Sequence, residues 1–387
     1  MHTLDGYTIK DYGRMILDER RTEPFVQALL RAVTPGCTVL DIGTSTGYFA
    51  FLALQAGAAR VYAVEPDEAI EVARRCASTL PGAERIHWIQ GMTTELDLPE
   101  QVDVVIGDLH GVLPFYNANI ASMIDARKRH LKPGGQIIPA QDRMFLVPAN
   151  APEEYQNLEE PWVRNSHGLD LSAARQYVAN SWWRVNGKPV ADERLLAPAA
   201  SWGSIDYRTV EHVDLEDTLA FTIERADTLH GYYVWFDGEM AEGLGYSNAP
   251  NLPELVYGRG FMPLEQAVDV VPGDKVEVRI GARVVGGDYV FRWDTRVIGA
   301  GGAVKGEFRQ STFRSRVIIP GQLRKAAVDY VPTLNAEGEV MRFLLANLGQ
   351  GKSVNDIAAA LAGAFPGKFA TAESALRETV RVTQKYG

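Results

Sequence analysis

The chain has little of what would cross-link it or send it out of the aqueous phase. It carries two cysteines in 387 residues, Cys37 and Cys76, too few for a disulfide framework or a zinc site. No metal is therefore expected. No apolar run approaches the roughly 20 residues that span a bilayer, so a membrane partner is not expected. Positive charge is also scarce: 39 Lys and Arg against 49 Asp and Glu leave a net charge of −10. Such a balance suits a phosphate-backbone binder poorly, and nucleic acid is not an expected partner. The opening stretch MHTLDGYTIKDYGRM lacks the basic start and apolar core of a secretion signal, so a cytoplasmic location is expected. There is no internal repeat and no low-complexity tract. The remainder is ordinary globular composition, 46% apolar and 23% charged, with length enough for two or three cores.

The most informative segments are VLDIGTSTGYFA at residues 39–50 and the apolar run RVYAVE that ends at Glu65. Val39–Ile42 reads as a buried strand. Gly43, Thr44, Ser45, Thr46 and Gly47 make a tight turn, and helical spacing resumes from Phe49. A glycine turn between strand and helix lets a ligand approach the backbone closely. An acidic residue closing the next strand can accept both hydroxyls of a ribose. A nicotinamide dinucleotide would call for G-x-G-x-x-G, whereas the spacing here is Gly43-x-x-x-Gly47. With Asp41 in front, the turn resembles motif I of class I methyltransferases, which bind S-adenosylmethionine. The usual middle glycine is Ser45, a side chain small enough to line a pocket. The resemblance favours S-adenosylmethionine over a dinucleotide or a turn without a ligand.

Along residues 1–145 strand and helix signals alternate. Pro24–Ala32 is predicted helical with the proline in its first turn. Strands are predicted at Val61–Val64, Ile86–Gln90, Val102–Gly107 and Gln136–Ile138, the last after the turn Lys132-Pro133-Gly134-Gly135. Helices are predicted at Ala50–Ala56, Ala69–Ser78 and Ile120–Leu131. This alternation specifies a parallel sheet with helices on both faces and a ligand at the carboxyl ends of the strands. From about residue 143 short β-rich runs take over, and an antiparallel barrel or sandwich is expected. Leu171–Trp183 reads as a helix, and Trp162, Trp182 and Trp183 make its surroundings aromatic. The last ~60 residues read as helices with Ser353 and Thr371 as caps. The expected division is a lid and Rossmann-like domain over 1–142, a β-barrel domain over 143–325, and a helical module over 326–387.

The pattern Tyr7-x-x-x-x-Tyr12-Gly13-x-Met15-x-x-Asp18-x-x-Arg21-Thr22, followed by the glycine turn, Glu65, DVVIGDLHGVLPFYNANI and a β-rich half, resembles protein arginine methyltransferases over about residues 5–320. The resemblance implies that the N-terminal segment lies over the cofactor as a lid, with Tyr7 and Tyr12 closing on it. It places Arg21 on the carboxylate of S-adenosylmethionine and Met15 near its sulfur and adenine. Met92 and Thr93 fall on the adenine, Asp41 supports the methionine end, and Gly43, Thr44 and Gly47 form the cradle. S-adenosylhomocysteine would be the product. The family grips a guanidinium with two glutamates; here those positions hold Asp108 and Asn117, one shortened and one neutral. The Thr-His-Trp loop of the family is matched by Leu255-Val256-Tyr257, without the histidine. Asp108 can still take a proton or orient the acceptor, His110 is a candidate base, and Asn117 can bond a neutral nitrogen group. Residues 155–192 lie where the family's dimerisation arm should be, which implies a homodimer.

The tail, DYVPTLNAEGEVMRFLLANL followed by GKSVNDIAAALAGAFP and AESALRETVRVTQKYG, resembles PqqD-like modules. Those recognise leaders of ribosomally made peptides by adding a strand to a small winged-helix-like fold. The favoured expectation is thus a methyltransferase acting at nitrogen on a peptide or protein, with a precursor peptide bound through its leader. Ordinary protein arginine methylation is the alternative, and a scaffold that binds the cofactor without transfer is a third.

Overall fold

A computed structural model describes residues 7–164 and 167–387. The chain falls into two compact units, Met1–Val317 and Ile318–Gly387.

The first unit begins with α1 (Ile9–Leu17), capped by a reciprocal Thr8–Asp11 box, and α2 (Glu19–Ala32). Helix α2 starts five residues before the predicted Pro24, so the proline lies inside it and removes one internal hydrogen bond. Burial of Phe25, Ala28, Leu29 and Ala32 on one face holds the helix regardless. There follow β1 (Thr38–Ile42), α3 (Tyr48–Gln55), β2 (Arg60–Glu65), α4 (Ala69–Ala77), β3 (Ile86–Gln90), β4 (Val102–Gly107), α5 (Asn119–Asp125) and β5 (Leu131–Ile138). The five strands are parallel in the order β3-β2-β1-β4-β5. Their near-continuous Val, Ile, Leu and Ala runs suit strands covered on both faces. The helix predicted to reach Leu131 gives way at Ala126 to a π turn. There Arg127 bonds the carbonyls of Tyr207 and Val210, and Arg129 those of Leu96 and Thr93. The predicted Lys132–Gly135 turn survives as a register jump inside β5, with Gly134 at φ 79°.

The rest of this unit is β6 (Gln141–Ala149), α6 (Pro152–Val163), α7 (Arg175–Ala179), β7 (Trp183–Val185), β8 (Ala200–Asp206), β9 (Leu215–Thr222), β10 (Asp227–Ala241), β11 (Leu244–Ser247), β12 (Arg259–Val270), β13 (Lys275–Val285), β14 (Asp288–Ile298) and β15 (Val304–Ser311). These strands form two antiparallel sheets, β7-β12-β10-β6-β8 with β11 added on β10, and β15-β14-β13-β9. They pack over one core containing Trp202, Tyr232, Phe236, Met262 and Trp293. The helix predicted over Leu171–Trp183 shrinks to α7. It ends at Asn180, whose side chain bonds back to the Gln176 carbonyl and across to the Ser311 amide. Trp202 stacks on Phe115 of the loop after β4 at 5.4 Å, so the antiparallel half supports the loop that faces the parallel sheet.

The second unit holds α8 (Pro320–Lys325), α9 (Ala336–Asn347), α10 (Val354–Ala364) and α11 (Ala372–Tyr386). Asn335, Ser353 and Thr371 cap the last three through their side chains. Val340, Leu344, Ile357, Leu361 and Val382 form its core. Among its described residues there is no strand, so it presents no sheet edge of its own on which a leader could add one.

Replacing Trp202, which is fully buried, by alanine should lower the stability of the first unit by about 3–5 kcal/mol. Urea unfolding followed by tryptophan fluorescence measures this, and an unchanged midpoint contradicts the packing described.

Candidate functional site

The turn after β1 is shaped by positions that tolerate little else. Gly43 sits at φ 69°, and a Cβ there would meet Leu109 Cδ2 at 2.6 Å. Gly47, at φ 89°, opens α3, and a Cβ would meet the Phe51 ring at 2.8 Å. Ser45 also takes a left-handed conformation, φ 48°, so it follows the path a glycine would take at a cost in strain. Beneath the turn, Asp41 is buried and accepts the Thr44 hydroxyl at 2.6 Å. Its Oδ1 has no hydrogen-bond partner within normal geometry among the described residues, and burial pushes its carboxyl up to about 7. Glu65 accepts the amides of Ser45 and Asp67, both at 2.9 Å. Each of its oxygens thus keeps one lone pair, and burial raises this carboxyl as well.

A cavity of about 470 Å³ opens at the carboxyl ends of β1, β2 and β4, within the size range of small-molecule sites. Gly43 and Glu65 line it, as do Met92 and Thr93 from the loop after β3. The buried Thr93 hydroxyl has no partner among the described residues. Tyr7 and Tyr12 line the same cavity from the N-terminal segment, and Asp108, His110 and Asn117 from the loop after β4. Three carboxylates, Glu65, Asp67 and Asp108, face it, with no lysine or arginine among the described lining residues. A smaller adjoining space of about 70 Å³ brings in Met15, Arg21 and Thr44. Asp41 and Gly47 line neither space and act from below the turn. The glycine cradle, unpartnered Asp41 and Thr93 oxygens and half-free Glu65 carboxylate fit a polar ligand with a ribose. Among the described residues no three metal-ligating side chains converge.

Behind the cavity lies a buried polar chain. Arg21, 5% exposed, is ion-paired with Asp108. Its Nε donates to the Tyr257 hydroxyl at 2.8 Å, and its Nη1 to the Met15 carbonyl and Thr22 hydroxyl at 3.0 and 3.2 Å. Four of the five guanidinium hydrogens are therefore engaged, which leaves one rather than a free fork for a ligand carboxylate. Asp108 Oδ1 accepts the Tyr257 hydroxyl at 2.6 Å and faces His110 Nδ1 at 3.2 Å. His110 Nε2 lies 2.8 Å from Asp142, which also accepts the Tyr207 hydroxyl at 2.6 Å. Burial raises the Tyr257 and Tyr207 phenols. Asn117 is exposed at the rim of the loop with φ 44°.

Sequence reasoning missed Tyr257 and Asp142. In the sequence Tyr257 marks only the end of the stretch Leu255-Val256-Tyr257, which lacks the family's histidine. Asp142 carried a usable signal, since it sits in the buried phase of an alternating strand, between Gln141 and Arg143.

The sign of one pH effect follows from Asp41. Its folded carboxyl titrates near 7 against an ordinary value of 3.8. Between those values the folded chain holds the extra proton, so stability falls as pH rises through this window. Asp41→Asn should flatten the drop in melting temperature of the ligand-free chain between pH 5 and pH 8. An equal drop in variant and parent would contradict the burial argument.

The sequence profile of the methyltransferase domain matches residues 39–135. The chain is 32% identical to protein arginine N-methyltransferase 6 of Xenopus laevis over 67% of this chain and 79% of that protein. It is 29% identical to a probable protein arginine N-methyltransferase 6 of Arabidopsis thaliana, spanning 60% of that longer relative. Among solved structures, the PRMT1 enzyme-prozyme complex of Trypanosoma brucei with AdoHcy aligns with a TM-score of 0.69 at 20% identity, over 78% of this chain and 96% of that one. Arabidopsis thaliana protein arginine methyltransferase 10 aligns at 0.67 and 21%, over 79% and 97%. A parallel sheet and an antiparallel second half are the fold these structures share. The chain belongs to the protein arginine N-methyltransferase family, class I S-adenosylmethionine-dependent methyltransferases acting on protein.

Proposed function

We propose that the chain methylates a side-chain nitrogen of a protein, with the arginine guanidinium as the acceptor its relatives favour. The observation that carries this reading is the cavity lined by three carboxylates, with no lysine or arginine among its described lining residues. It is suited to a sulfonium and to a cationic acceptor beside it. S-adenosylmethionine supplies, when bound, a methyl group on a positively charged sulfur. Glu65 holds the ribose with the lone pairs its backbone bonds leave free. Met92 and Thr93 flank the adenine and Met15 the sulfur side. Thr44, fixed by Asp41, and the remaining N–H of Arg21 serve the amino-acid end. Tyr7 and Tyr12 exclude water, which strengthens each electrostatic contact inside. Asp108 lines the cavity and is the carboxylate placed to orient the acceptor and take up its proton.

A second reading has its own support. With Asp108 largely engaged and Asn117 neutral, the site offers less than a two-carboxylate grip, which suits a neutral nitrogen such as an imidazole or amide in a precursor peptide. The all-helical second unit gives the leader-binding part of that reading no sheet edge. We further propose a two-fold homodimer through residues 155–192, where Val163 and Leu171 present apolar surface.

Labelled S-adenosylmethionine offered to arginine-rich proteins and to precursor peptides, followed by mass spectrometry, should place label on arginine. Label confined to a histidine or amide would replace the first reading by the second, and no transfer at all would leave a scaffold. Asp108→Asn should cut turnover at least tenfold, about 1.4 kcal/mol of transition-state stabilisation; equal rates would remove Asp108 from the site.

A further inference from the structure

His110 is a buried imidazole held between two carboxylates, and the geometry fixes what it carries. Its Nδ1 faces Asp108 Oδ1 at 3.2 Å, and its Nε2 faces Asp142 Oδ2 at 2.8 Å. With both carboxyls ionised each oxygen only accepts, and both contacts are then satisfied together by a ring with hydrogen on each nitrogen. The charges agree. Arg21 contributes one positive charge, and Asp108 and Asp142 two negative ones, all in a region nearly closed to solvent. Without a second cation one buried negative charge would be left uncompensated, which is strongly unfavourable. The ring also stacks on Phe236 at 5.1 Å and 18°, an arrangement that favours a cation over the aromatic face.

The other groups around the ring leave one rival. The Tyr246 hydroxyl from β11 lies 3.3 Å from Nδ1 and could donate to a bare nitrogen. That would point the lone pair of Nδ1 at Asp108 Oδ1. Tyr257 already donates to this oxygen, and Tyr207 donates to Asp142 from the far side. Phe25 from α2 closes the remaining face.

We propose that His110 is a fixed cation and a positioning residue, not the base. Anchored to β6 by Asp142, it holds Asp108 in place at the wall of the cavity. The proposal rests on the methyltransferase reading for its kinetic part only. No bond to His110 forms or breaks during transfer.

Nitrogen-15 NMR of the ring in the full ligand-free chain tests the arrangement without activity. The expected spectrum at pH 7 shows two protonated ring nitrogens for His110, and Asp142→Asn should lose that signature. A bare Nδ1 in the parent chain overturns the proposal, whether or not the chain transfers methyl groups. In turnover assays, Asp142→Asn and His110→Gln should lower kcat about tenfold or more while S-adenosylmethionine KM changes less than threefold. An equal fall in both parameters, or a parent NMR signature that Asp142→Asn leaves in place, would overturn the positioning role. Two protonated nitrogens in a chain that transfers nothing would keep the cation and sink the functional reading instead.

Discussion

A guanidinium and a carboxylate, Arg21 and Asp108, meet where almost no solvent reaches. The architecture of the first unit follows from satisfying them. Burying an ion pair is costly unless the remaining donors and acceptors find partners. Three stretches far apart in sequence supply those partners: α1 through the Met15 carbonyl, the segment before β12 through the Tyr257 hydroxyl, and the loop after β4 through His110. Each partner is worth little alone. Together they clamp the N-terminal helices, the parallel sheet and the antiparallel sheets around one space. Asp18 adds to the same closure by accepting the Val256 amide at 2.6 Å, and Asn248 by donating to the carbonyls of Val112 and Gly258.

The same constraint divides the site into two parts with different freedom. The cradle half, from Gly43 to Glu65, is set by backbone geometry and by oxygens that still have capacity to accept. The acceptor half is nearly saturated by its own network, so Asp108 has little left to offer an incoming group. On the proposed reading, the cradle recognises the cofactor, and the acidic lining with the three tyrosines Tyr7, Tyr12 and Tyr116 selects the acceptor. The ring centroids of Tyr7 stand 6.0 and 6.2 Å from those of Tyr12 and Tyr116, close enough to share one wall.

Much of the scaffold was legible from local chemistry. Ile86–Gln90 and Val102–Gly107 have the bounds their apolar runs predicted. Ser353, predicted as a helix cap, opens α10. These features are encoded within a few residues. The elements that escaped are decided at long range. Pro24 reads as a helix start, yet α2 runs past it because its buried face outweighs one missing hydrogen bond. Strands β8 and β15 carry weak local patterns and exist through pairing with β6 and β14. In the site, the glycines and Glu65 announced themselves by spacing. Asp142 and Tyr257 did not, because their meaning comes from a histidine 32 residues away in one case and an arginine 236 away in the other.

The central claim is that the bend between β1 and α3 receives S-adenosylmethionine with its sugar on Glu65. Calorimetric titration of the parent chain and of Glu65→Ala with S-adenosylhomocysteine tests this most directly. Saturable one-to-one binding by the parent and its loss in the variant are expected. An absence of binding by the parent, or equal affinity in both, would contradict it.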